Sequence, residues 1–149
     1  MVNMLKGNIK NKLENFLKKM NLKYFYDEDK GVFAVPFEIR GERVMISIIP
    51  GEKWIYVGSA IVNVKNLPPE VDREKLFALL LRETLYIPEV TYGLTDQGDI
   101  VVHAETATKA FEYKNFEIEF FSVVYGVQHF LENIATKFPI KTESRVLYI

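Results

Sequence analysis

Apolar positions recur along this chain with two different periods, and each change of period marks a new element. Val2, Leu5, Ile9, Leu13, Phe16, Leu17 and Met20 return at helical spacing, with Lys10, Asn11, Glu14, Asn15, Lys18 and Lys19 between them. This predicts an amphipathic helix over 2–20. Between 22 and 64 the period falls to two. LKYFYD, VFAVPFEI, RVMISII and WIYVGSAIVNV read as strands, parted by turns at Asp27–Gly31, Arg40–Glu42 and Pro50–Lys53. Phe33, Val35, Phe37 and Ile39 fall on one side of their strand, as do Val44, Ile46 and Ile48 on theirs. The alternate positions are not consistently polar: Val32, Ala34, Met45, Ile49, Ile55, Val57 and Ile61 are apolar too. An antiparallel sheet with one wet face alternates cleanly, so these strands are expected to be covered on both faces. Pro36 cannot donate to a ladder and predicts an edge or a bulge.

Leu67-Pro68-Pro69 ends the strands, and Asp72 is placed to cap a helix over 72–86. Its apolar residues run almost all round. Leu76, Leu79 and Leu80 form one face, and Phe77, Ala78, Leu81 and Leu85 much of the other. Such a helix is either sandwiched within its own domain or buried against a second copy, and the second is expected here. EVTYGLT and DIVVHAET flank Asp96-Gln97-Gly98 as a hairpin. After a link over 106–114, Asn115 is the expected cap of a closing helix over 115–138. That helix has a broad stripe (Phe116, Phe120, Val123, Val124, Val127, Phe130, Leu131, Ile134, Phe138) and a second, nearly opposite one (Ile118, Phe121, Tyr125, continued by His129 and Glu132). The tail KTESRVLYI is expected to add a short strand or to dock on a neighbour. There is no internal repeat and no linker, so 1–149 is expected to form one domain.

Totals narrow the function more than the fold. The 149 residues carry a formal net charge of −1, so no global field points to nucleic acid or acidic lipid. There is no cysteine, which removes disulfides, thiol nucleophiles and thiolate metal sites. No apolar run reaches the roughly 20 residues of a membrane span. The first residues lack the apolar core of a signal peptide, so a cytoplasmic location is expected.

The polar side of the first helix is rich in lysine (Lys6, Lys10, Lys12, Lys18, Lys19). It is read as a solvated basic face, with a nucleic-acid or membrane-surface contact as the alternative. His103 shares a strand face with Glu105, and His129 precedes Glu132 by three residues, but no third metal ligand arrives by local spacing. Glu117 with Glu119, and Glu70 with Asp72, are carboxylate pairs near helix starts, where acids also favour the dipole. Gly58-Ser59 follows a strand, but no phosphate loop or nucleophile elbow surrounds it. The aromatics Tyr24, Phe25, Tyr26, Phe33, Phe37, Trp54 and Tyr56 sit among acidic residues, which favours packing over base stacking. No enzyme, metal or cofactor is expected.

The order helix, three strands, helix, two strands, helix resembles the type III secretion chaperone-like superfamily, which includes the secretion chaperones and the YbjN-type domains. The likeness is carried by the helix 2–20, the meander 22–64, the leucine-rich helix 72–86, the hairpin VTYGLTDQGDIVVHAE and the closing helix. It implies an α+β fold built on an antiparallel sheet. It also implies a homodimer, often through the middle helix (here Phe77, Ala78, Leu81 and Leu85), and a surface that holds an extended protein segment. The second stripe of the closing helix, Ile118, Phe121 and Tyr125, is the other expected interface. The expected function is thus a non-enzymatic, chaperone-like binding module.

Overall fold

The computed structural model describes the backbone of residues 2–148 and the side chains of residues 7–148. Val2, Leu5 and Lys6, assigned above to faces of the first helix, have side chains outside that range. Helix α1 (Val2–Lys19) leads into a four-strand meander, β1 (Phe25–Asp27), β2 (Val32–Ile39), β3 (Glu42–Pro50) and β4 (Trp54–Asn63). Helix α2 (Arg73–Tyr86), the hairpin β5 (Tyr92–Leu94) and β6 (Asp99–Ala107), and helix α3 (Tyr113–His129) follow. The strands form one antiparallel sheet in the order β1-β2-β3-β4-β6-β5. The α+β class holds. The four strands read between 22 and 64 are all present, and the three-strand order of the resemblance leaves out only the three-residue edge strand β1.

The turns follow their residues. Arg40 and Gly41 both take positive φ, 54° and 78°, and close the β2–β3 hairpin between the paired residues Ile39 and Glu42. The carboxylate of Asp27 accepts the amides of Asp29 and Lys30, and Gly31 turns the chain back with φ 67°. Pro36 lies just past Ala34, where β1 pairing ends, so its missing N–H costs no ladder bond on that side. Asp72 caps α2 by accepting the amide of Lys75.

One face of the sheet carries the main core. Phe33, Val35, Val44, Ile46, Ile48, Ile55, Val57, Ile100, Val102 and Ala104 meet Leu13 and Leu17 of α1, Leu76 and Leu80 of α2, and Phe116, Phe120, Val123 and Val127 of α3. Helix α3 differs from its expected span at both ends. It begins at Tyr113, without a side-chain cap, because α1 holds the extra turn: Phe16 packs on Tyr113 at 5.3 Å and on Phe116 at 5.9 Å. At its other end the helix widens into a π turn over Phe130–Ile134. The wider turn buries Phe130, Leu131 and Ile134 together before the chain leaves for the opposite face of the sheet.

Gly126 shows how closely α3 is seated. A Cβ there would lie 2.6 Å from Cγ1 of buried Val102 and 3.3 Å from Val90. Helix propensity favours alanine by about 1 kcal/mol, but overpacking a full core costs about 1–3 kcal/mol. Gly126→Ala is therefore expected to lower stability by about 1–2 kcal/mol in urea denaturation, and adding Val102→Ala should restore part of the loss.

Candidate functional site

The helices leave two apolar stripes uncovered. On α2 the inward residues Leu76 and Leu80 are buried, while Leu85 opposite them is 74% exposed. Leu81 and Tyr86 are equally bare, and Phe77 and Ala78 are half-buried at the stripe's margin. On α3, Ile118, Phe121 and Tyr125 point outward, and even the least exposed, Phe121, shows 43% of its surface. The sandwiched alternative for α2 is thereby excluded: its own domain does not cover its outer side. Tyr86 belongs to this surface and was missed in the sequence, because a terminal aromatic beside Pro88 reads as the end of the buried helix.

Polar contacts tie the two helices together behind these stripes. Nε2 of His129 lies 2.9 Å from the Glu83 carboxylate of α2, and the Asn133 amide sits 3.1 Å from Nδ1 of the same ring. His129 and Glu132, three residues apart in the sequence, are not hydrogen-bonded to each other. Glu132 instead accepts from Gln128 and lies 3.4 Å from Arg40. The ring of Tyr125 packs on His129 at 6.4 Å. Below them the hydroxyl of Tyr92 is buried with no partner among the described residues, and burial, followed by the nearby Glu83 and Tyr125, pushes its phenol far above the ordinary range.

The residues singled out for chemistry are used structurally. His103 does meet Glu105, on the outer face of the sheet. Glu117 accepts the hydroxyl of Tyr113 at 2.8 Å, and Asp72 is the α2 cap. Among the described residues no group of three histidines or carboxylates is placed to hold a metal ion.

The basic face of α1 is not simply solvated. Nζ of Lys10 lies 4.4 Å above the Tyr26 ring, that of Lys19 lies 4.0 Å above Tyr113, and that of Lys12 lies 5.4 Å from Phe111, whose carbonyl it bonds. These cations brace α1 against the rest of the fold, and nothing here favours the nucleic-acid or membrane reading. The strand aromatics divide in the same sense. Tyr24 and Tyr26 pack on buried Phe33 and Phe37 packs on Phe120, while Phe25 and Trp54 stay open to solvent.

No protein-family model matches the chain. No curated protein matches it either. Solved structures do. The complex of ExsC with ExsE is 11% identical over 87% of this chain and 95% of that one, with a TM-score of 0.64. The HopA1–SchA chaperone–effector complex is 13% identical over 84% and 94%, with a TM-score of 0.59. YbjN from E. coli is 12% identical over 81% and 89%, also with a TM-score of 0.59. At these identities the likeness is one of fold: the chain shares the fold of these structures.

Glu119 of α3 carries a testable charge. Burial, and then the carboxylates of Glu89 and Glu105, raise its pKa above the usual carboxylate value. A raised folded pKa favours the protonated form, so this group contributes stability below the unfolded value and loses it as pH climbs through the folded one. At neutral pH the charge is a cost. Glu119→Gln is expected to stabilise the chain by about 0.5 kcal/mol at neutral pH and low salt, the scale of a screened, partly exposed site. Denaturation series should show the gain shrinking with added salt and disappearing below about pH 4.

Proposed function

We propose that this chain is a non-enzymatic, chaperone-like binding module of the cytoplasm, a homodimer that holds a segment of a protein partner on apolar surface. The observation that carries the reading is the pair of bare stripes, Phe77, Ala78, Leu81 and Leu85 on α2 and Ile118, Phe121 and Tyr125 on α3. Soluble monomers rarely leave contiguous apolar patches beyond a few hundred Å² without a use for them. Two such stripes on neighbouring helices offer one surface to a second copy and another to a partner. The fold supports the reading from outside. Among the solved structures that share it are a complex of ExsC with ExsE and a chaperone–effector complex. Several ionisable residues have structural partners: Asp72 caps α2, His129 meets Glu83 and Asp27 holds a turn.

Leu81→Glu places a charge in the middle of the α2 stripe, where no core contact is lost. Light scattering is expected to report a dimer for the native chain and a monomer of unchanged circular dichroism for the variant. A desolvated charge in a dimer interface costs several kcal/mol, enough to weaken association by more than about 100-fold. If Leu81→Glu stays dimeric and Phe121→Glu dissociates, α3 is the dimer surface and α2 is left for the partner. Dimers from both variants, or a monomeric native chain, would remove the homodimer from this proposal.

A further inference from the structure

The face of the sheet opposite the helices is crossed by residues 141–148, which run extended and make a single β-bridge, Ala60 to Arg145. They lie where the sheet opens. The β3–β4 ladder pairs Pro50 with Ile55 through to Ser47 with Gly58 and stops there, although β3 starts at Glu42 and β4 continues to Asn63. The gap leaves main-chain groups of both strands without ladder partners, and the closing segment takes them. Met45 N–H donates to Ser144 Oγ at 2.8 Å, and Glu143 N–H donates to the Ile61 carbonyl at 2.7 Å. Leu147 N–H donates to Ser47 Oγ at 2.8 Å, while Ser59 Oγ holds the Met45 carbonyl at 2.9 Å.

The cleft is built for this shape of ligand. Ser47 and Ser59 are fully buried polar side chains with mostly apolar neighbours along their strands. Leu147 is buried in a niche that exists because Gly58 has no side chain: a Cβ there would stand 3.0 Å from Leu147 Cδ2. The requirements are an extended backbone, a hydroxyl residue to receive Met45 N–H, and a leucine three positions later. Beside the segment a groove of about 260 Å³, lined by Phe25, Val32, Ala34 and Met45, has Val146 and Tyr148 as one wall. Beyond the bridge and the Glu143 bond, the segment's contacts run through side chains, among them Arg145 with Asp99, Thr142 with Glu42 and Glu143 with Asn66.

We infer that the opened β3–β4 cleft is a docking site for an extended protein segment with a hydroxyl residue three positions before a leucine, and that Ser144–Leu147 is its resident, displaceable occupant. This rests on the segment-holding function proposed above and adds the site and the pattern it recognises. The probe is a fluorescent peptide of residues 140–149, and the receptors are the native chain, a chain ending at Ile140, and the full chain with Leu147→Asp. Anisotropy is expected to show micromolar binding to both altered chains. The native chain should bind about 1,000-fold more weakly, because its own segment competes at an effective concentration on the order of millimolar. A peptide carrying Leu147→Asp should bind none of them. Folded variants that ignore the peptide, or a native chain that binds it equally well, would overturn the inference. So would loss of the fold in both variants, which would make the segment part of the core. Light scattering on the same samples separates the two readings: peptide binding by a monomer supports the cleft without the helix-stripe dimer, and a dimer with an inert cleft does the reverse.

Discussion

The constraint on which the structure depends is a sheet that is apolar on both faces. Each central strand carries large aliphatic residues at successive positions, as Ile46, Ile48 and Ile49 do in β3, so neither face can be left to water. Three helices close one face around Phe33, Ile46, Ile48 and Val102. The other has no helix. It is closed by a short extended segment whose buried Leu147 packs with Ala60, Val101 and Ile49.

The two covers differ in kind. The helices bury whole stripes and are braced by aromatic contacts and lysines, so they are integral to the fold. The segment over the outer face is held by hydroxyl bonds, one bridge, one buried leucine and the Arg145–Asp99 ion pair, and it fills an opening that the strands themselves create. A sheet that opens its own ladder to receive an extended chain is built like a receptor, and the resident chain shows what kind of ligand fits.

Seen from outside, the apolar surplus of α2 and α3 repeats the same theme. Leu81, Leu85, Tyr86, Ile118, Phe121 and Tyr125 do nothing for the monomer core. Burying them needs another surface.

Periodicity alone determined the elements, the two-sided character of the strands and the outward stripes of α2 and α3, because local spacing fixes which side chains share a face. It also supplied the caps and turns at Asp72, Gly31 and Gly98, where backbone chemistry is local. Only tertiary structure decided the rest. The early start of α3 at Tyr113 comes from Phe16 on a helix about a hundred residues away, and the π turn at Phe130 from the core it fills. His129 meets Glu83, which α2 brings to it from 46 residues away and which no local spacing indicates. The small and polar interruptions at Ser47, Gly58 and Ser59 were visible in an apolar run but could not be interpreted. Their meaning lies in Leu147 and Ser144, which the fold brings to them from the far end of the chain, and no pattern within a strand encodes a partner that distant.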